Sequence, residues 1–281
     1  MRITKNRVVA ITGASSGVGR EAALAFAHKG AIVVLIARRK GALEHVAAQC
    51  RPTASAVLVR PADAADESAI ESVASDVYRR FGGIDVWVNA ASVNMLSSSE
   101  RYPDAEWRRR IERRLFDTYH GLRTVVPYFR AQGTGAIINV PSILSRPGEP
   151  FHEAFAAGKD AMRAVTHCLR REVVDIPGVT VSAVVPGPVE PAQPRPEDVD
   201  PYAPLEPVLD PWRGARAVVA CAKTPRGELL VDPAPRTLAK LVGMTRDAFE
   251  RLVHRRGERD RIIGTLDQTM EHHLVLPGRE R

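Results

Sequence analysis

A chain of 281 residues with 44% apolar and 26% charged side chains has ordinary globular composition, which excludes intrinsic disorder. Its longest clean apolar stretch, Ala31 to Ala37, is strand-sized, and the apolar run after the basic N-terminus, Val8 to Ile11, is short, so neither a membrane span nor a secretory signal is expected. The charge of +7 rests on 34 Arg against 6 Lys, without zinc-finger spacing or basic–aromatic alternation, and no nucleic-acid partner is expected.

Val8 to Thr12 reads as a buried strand and Gly13 to Gly19 as a glycine/serine turn. Arg20 to Lys29 reads as a helix with Ala22, Ala23, Phe26 and Ala27 on one face and Gly30 as its C-cap. Ala31 to Ile36 is a second strand, followed by a helix ending near Cys50. Ala56 to Val59 is a third strand, and Glu67 to Phe81 a helix closed by Gly82-Gly83. Asp85 to Asn89 is a fourth strand, Asp104 to Ala131 a long helix containing Pro127, and Ala136 to Val140 a fifth strand. Phe151 to Asp175 reads as a helix and Val179 to Val185 as a sixth strand. Apolar strands alternating with helices predict a parallel sheet covered on both faces, an α/β doubly wound Rossmann-type fold.

Nine prolines among the 26 residues from Pro186 to Pro211 interrupt that rhythm. The stretch follows the C-terminal end of a strand, where such sheets bind ligands, and reads as a substrate loop; the alternative is a stiff solvated connector. Trp212 to Ala222 is a helix and Glu228 to Val231 a seventh strand. We expect one dinucleotide-binding domain over residues 1–232. Residues 233–281 form a basic helical extension, either packed on the domain or touching a membrane or another subunit.

Cys50, Cys168 and Cys221 are odd in number and far apart, which fits a reducing cytoplasm, with Cys168 expected in the core. No metal-ligand spacing is found. Arg108, Arg109, Arg110, Arg113 and Arg114 read as a basic stripe on the long helix, facing solvent or a partner, with Glu106 and Glu112 as neutralising neighbours.

The turn Gly13-Ala-Ser15-Ser16-Gly17-Val18-Gly19 stands between the first strand and the first helix. Glycines there let the backbone approach a pyrophosphate, and the helix N-terminus offers unpaired N–H groups and a positive dipole end. The second strand ends in Arg38-Arg39. NAD-selective sites carry an acid there for the ribose 2′-OH, whereas Arg can pair with a 2′-phosphate. NADP(H) is therefore favoured over NAD(H), with two solvated surface arginines as the alternative.

The Gly-x3-Gly-x-Gly spacing resembles that of the short-chain dehydrogenase/reductase family, and the resemblance runs over roughly residues 5 to 232. Asp85 to Asn89-Ala90-Ala91 resembles the family's Asn-Asn-Ala-Gly segment, with its first Asn alone retained. Asp63-Ala64 resembles the pair that holds adenine, and Pro186-Gly187-Pro-Val189 the segment beside the nicotinamide amide. The resemblance implies a cytoplasmic NADP(H)-dependent oxidoreductase, a homo-oligomer of two or four subunits.

It also implies a catalytic Ser at Ser142 and a catalytic Lys at Lys159. The family's Tyr, four residues before the Lys, is here Phe155, while Ser142 keeps its spacing of thirteen residues before it. Phe155 has no hydroxyl to donate or accept a proton. The family's relay Asn falls at Arg114, whose guanidinium carries donors alone. General acid–base catalysis is worth about 10²–10⁴-fold, so carbonyl/alcohol hydride transfer is expected to be impaired. His152, one turn before Phe155, is a candidate substitute acid, with Glu153 and Tyr119 behind it. The alternatives are a catalytically inactive cofactor-binding pseudoenzyme (sensor, scaffold or partner subunit) and a non-redox enzyme using the same pocket.

Overall fold

Every residue of β1 (Val8–Thr12) is buried, because this strand lies inside a sheet covered on both faces. A computed structural model describes residues 5–91, 104–141, 153–186 and 209–231. The elements run β1, α1 (Gly17–Ala27), β2 (Ile32–Ala37), α2 (Lys40–Cys50), β3 (Ala56–Pro61), α3 (Glu67–Phe81), β4 (Val86–Asn89), α4 (Asp104–Gln132), β5 (Gly135–Asn139), α5 (Glu153–Glu172), β6 (Val179–Val185), α6 (Pro211–Lys223) and β7 (Glu228–Leu230). All described strand pairs are parallel, in the order β3-β2-β1-β4-β5-β6-β7. This is the expected doubly wound sheet. Its order reverses between β1 and β4, the crevice where such sheets take a ligand.

Alternation along β1 sends side chains to two apolar layers. Val9 and Ile11 join Phe26 of α1, Leu43 of α2 and Val218 of α6. Val8 and Ala10 join Ile70 of α3, Phe129 of α4 and Leu169 of α5. Complete burial of one such side chain contributes about 1.5–3 kcal/mol, so the layers hold the strand ends in fixed register.

Helix ends follow their capping chemistry. The Asp66 carboxylate accepts from the Ala69 N–H at 3.1 Å, a bond that holds its pKa below the ordinary range, and Gly82 closes α3 in the left-handed region at φ 76°. Asp210 caps α6 through the Trp212 N–H, with Pro211 in the first turn. Gln132 at the end of α4 donates to Ile84 O at 2.8 Å and accepts from Ile84 N at 3.0 Å, tying that helix to the start of β4.

Three expectations are corrected. Helix α1 begins at Gly17 rather than Arg20, because its first turn needs no apolar side chain and carries no periodic signal. Its C-cap is His28; Gly30 takes φ 72° in the turn beyond. Cys168 is exposed, since Met162 and Leu169 lie on the buried stripe of α5 and residue 168 lies off it. Other element ends lie within three residues of expectation. The proline-rich stretch up to residue 208, the boundary at 232 and the basic extension lie outside the described residues.

Candidate functional site

The strands that carry the sequence-predicted residues deliver them at their C-terminal ends. Gly13 follows β1 at φ 70°; a Cβ added there would lie 2.5 Å from Ala90 O, so the turn packs directly on the segment after β4. Gly19 has its own Cβ position filled by the Gly13 carbonyl. Gly17, at φ 53°, faces open space, with nothing within 4 Å of the point a Cβ would occupy. Ser16 is the N-cap of α1 and makes no side-chain cap bond. The geometry is a glycine cradle opening on the N–H end of a helix, which suits a diphosphate. Ala14 is buried, and Ser15 and Ser16 are half-buried in the turn; Val18 is buried beneath α6, where it leaves no room for a Cβ at Gly214.

Arg38 and Arg39 are exposed beyond β2, Arg39 being the N-cap of α2. Beyond β3, Ala64 is buried, while Asp63 is half-buried. The Asp63 carboxylate accepts from Ala65 N at 3.2 Å and from Arg113 of α4 at 2.5 Å. Asn89 ends β4 and Ala90 follows it, with Ala91 packed against the core, and Pro186 is buried after β6. Gly187, Val189, Ser142 and His152 lie outside the described residues, as do the side chains of Phe155 and Glu153, although the backbone of both belongs to α5.

A buried polar chain braces the site from below. Trp87 Nε1 donates to Asn89 Oδ1 at 2.9 Å, Asn89 Nδ2 to Asn139 Oδ1 at 2.9 Å, Asn139 Nδ2 to Thr166 Oγ1 at 2.7 Å, and Thr166 Oγ1 to Met162 O at 2.7 Å. The chain joins β4 and β5 to α5, the helix that carries Lys159. The side of Gly121 on α4 is filled by Asn89 Oδ1 and Trp87 Nε1.

Above it lies a set of buried charges. Lys159 is 3% exposed and Arg114 8%. The Arg114 stem runs along Gly158, where an added Cβ would come within 2.8 Å of Arg114 Cβ. The Arg114 side chain therefore packs where α4 meets α5, next to Lys159. Burial, then the neighbouring Arg114 charge, pushes the Lys159 ammonium down to about 7, with Asp117 opposing. Asp117, 5% exposed, is pushed up to about 6 by burial and by Asp63, against Arg113, Lys159 and Arg38.

The basic stripe expected on α4 is thus split. Arg108 and Arg109 are exposed, and Arg108 pairs with Asp104 at 2.8 Å and feels Glu112. Arg113 turns to Asp63 and Arg114 inward. Tyr119 is exposed, edge-on to Phe116 and off the buried face of Arg114, Asp117 and Thr118. Sequence reasoning missed Asp117, Asn139 and Thr166. The signal for Asn139 was available, since a polar residue closes an otherwise apolar strand, as Asn89 does.

Among the described residues no helix is long and apolar enough to cross a membrane. The family model described as short chain dehydrogenase matches residues 7–199. A D-beta-hydroxybutyrate dehydrogenase from Rhizobium meliloti is 34% identical over 189 residues, 66% of this chain and 71% of that protein. Among solved structures, L-sorbose reductase from Gluconobacter frateurii, complexed with NADPH and L-sorbose, superposes at a TM-score of 0.72 with 25% identity, over 82% of this chain and 96% of that one. A Burkholderia phymatum short chain dehydrogenase/reductase in complex with NAD has the same fold at a TM-score of 0.78, with 21% identity and 88% and 96% coverage.

Proposed function

The chain belongs to the short-chain dehydrogenase family of oxidoreductases, and on that premise we propose that it binds NADP(H) while its carbonyl–alcohol hydride transfer is impaired. The observation that carries this reading is the glycine cradle opening at Gly17 onto the first turn of α1, together with an altered proton-handling set around Lys159. When bound, the nicotinamide would supply or take up a hydride. Gly13, Ser15, Ser16, Gly17, Val18 and Gly19 would hold the diphosphate. Arg38, with Arg39 beside it, would pair with a 2′-phosphate.

Ser142 would orient a substrate carbonyl, and Lys159 would bind the cofactor ribose. In relatives with a Tyr, the Lys also eases proton release from the phenol. Phe155 has no such proton. Arg114 in the place of an Asn adds a positive charge beside Lys159 and cannot accept a proton. Burial and this neighbour bring the Lys159 ammonium to about 7, so the amine is shared between its two protonation states at neutral pH. His152 is the remaining candidate acid. These substitutions also support a second reading, a cofactor-binding protein without turnover.

Titration of NADPH and NADH into the full chain, with turnover over a panel of carbonyls and alcohols, tests both readings. NADPH affinity with weak turnover is expected. Binding without turnover selects the second reading, and absence of association at millimolar concentration rejects both.

A further inference from the structure

Asp117 is a buried acid that the proposed chemistry does not use. It is 5% exposed on α4, and among the described residues its carboxyl group has neither a hydrogen bond nor an ion pair. Its place follows from its helix neighbours, since residues four apart share a face. Gly121, one turn onward, has its side filled by Asn89 Oδ1 and Trp87 Nε1 of β4. Arg113, one turn back, donates to Asp63 Oδ2 at 2.5 Å, in the loop beyond β3. Asp117 therefore stands over the C-terminal ends of β3 and β4, beside the crevice where the sheet order reverses. The charged groups that act on it are Arg113 of its own helix, Asp63 of the β3 loop, Lys159 of α5 and Arg38 at the end of β2. Arg113 is engaged by Asp63, and Arg114 acts on Lys159.

Resting on the dinucleotide reading above, we infer that Asp117 is a proton-linked group of the cofactor site: it takes up a proton from solvent as the nucleotide's phosphates compensate the cations around it. A carboxylate buried this deeply without a hydrogen bond keeps its charge only through cations at longer range. Burial pushes the group up to about 6, with Asp63 adding to the rise and Arg113, Lys159 and Arg38 opposing it. The nucleotide removes part of that opposition. Its 2′-phosphate would pair with Arg38. Its diphosphate would bring negative charge to the glycine turn, which packs on Ala90 just after β4. Both changes favour the neutral acid, which needs no cation. Because the bound chain then holds the extra proton, affinity is highest below about 6 and falls as pH rises through the value of the complex. The fall is about tenfold for each unit by which binding raises the group.

The test is calorimetric titration of NADP⁺ into the full chain at about pH 6 in two buffers of different ionisation enthalpy, which counts the protons taken up on binding. Lys159, at about 7, is largely charged there already and contributes little. A one-unit rise from about 6 carries Asp117 from half to about nine-tenths protonated. Wild type is therefore expected to take up about 0.4 proton more than Asp117→Asn and the smaller Asp117→Ser. Protons exchanged by the nucleotide itself are common to all three proteins and cancel. The affinity of wild type relative to either variant is expected to fall about tenfold from about pH 5 to about pH 8. A difference below about 0.1 proton overturns the inference and leaves the dinucleotide reading standing. So does loss of binding in both variants, because a group that is neutral in the complex can be replaced by a neutral side chain. Failure of wild type to bind NADP⁺ overturns both.

Discussion

Asn89 donates from Nδ2 to Oδ1 of Asn139 at 2.9 Å, across the β4–β5 pair, with both side chains buried. Each also holds a further partner, Trp87 on one side and Thr166 on the other. Asn139→Ala leaves the Asn89 amide without its acceptor and takes the donor from Thr166. An unmet buried polar group costs about 1–3 kcal/mol, so a loss of about 2–3 kcal/mol is expected, read as a lower urea midpoint at unchanged slope. A loss below about 0.5 kcal/mol would show that the chain of bonds is not a brace.

Two glycine substitutions in helices should have opposite signs. Alanine is favoured over glycine in a helix by about 1 kcal/mol. At Gly41 on α2 an added Cβ meets nothing within 4 Å, so Gly41→Ala should raise the midpoint. At Gly121 the Cβ would overlap Asn89 Oδ1 and Trp87 Nε1. Overpacking costs about 1–3 kcal/mol and exceeds the propensity gain, so Gly121→Ala should lower it. Equal signs would contradict the packing described.

The buried charges set a pH signature. Asp117 is raised from the ordinary carboxylate value to about 6. Between about 4 and that value the folded chain holds a proton that the unfolded chain has released, so this group makes stability fall as pH rises. Lys159 is lowered to about 7. From there to about 10 the unfolded chain holds the extra proton, so this group makes stability rise with pH. Asp117→Asn should flatten the profile between about 4 and 6, and Lys159→Met between about 7 and 10. Denaturant midpoints across that range for wild type and both variants measure it; profiles parallel to wild type would remove the shifts.

Arg38→Glu should weaken NADPH binding by tenfold or more and NADH by much less, because an acid repels the 2′-phosphate but can accept from a 2′-OH. Equal weakening of the two would place Arg38 away from that phosphate.

Phe155→Tyr restores the proton donor four residues before Lys159. Turnover of a reactive carbonyl is expected to rise about 10²–10⁴-fold. Substantial and equal activity in both proteins would mean that another acid operates, and His152→Gln would then identify or dismiss the nearest candidate.

Much of this architecture is legible in the sequence. Helix α3 has the bounds that its flanking residues announce, because Asp66 and Gly82 are local signals. The sheet order follows from apolar strands and short right-handed connections. The glycine turn is likewise local. What escapes is which polar residues of α4 turn inward. Glu112, Arg113, Arg114 and Asp117 look alike as a charged run, and their separation depends on Asp63 and Gly158, 50 and 44 residues away in sequence from the arginines they meet. Asn139 escapes for the same reason, its amide being met by Asn89 and Thr166 on other elements, and so does the bond that Thr166 accepts from β5.

The bonded indole of Trp87 also makes the protein its own optical probe. Trp87 is fully enclosed beneath the cofactor crevice, whereas Trp107 and Trp212 are exposed. Replacing the latter two with Phe would leave an emission from the sheet interior alone, blue-shifted and shielded from iodide. Its red shift on heating would then time the opening of β4 itself.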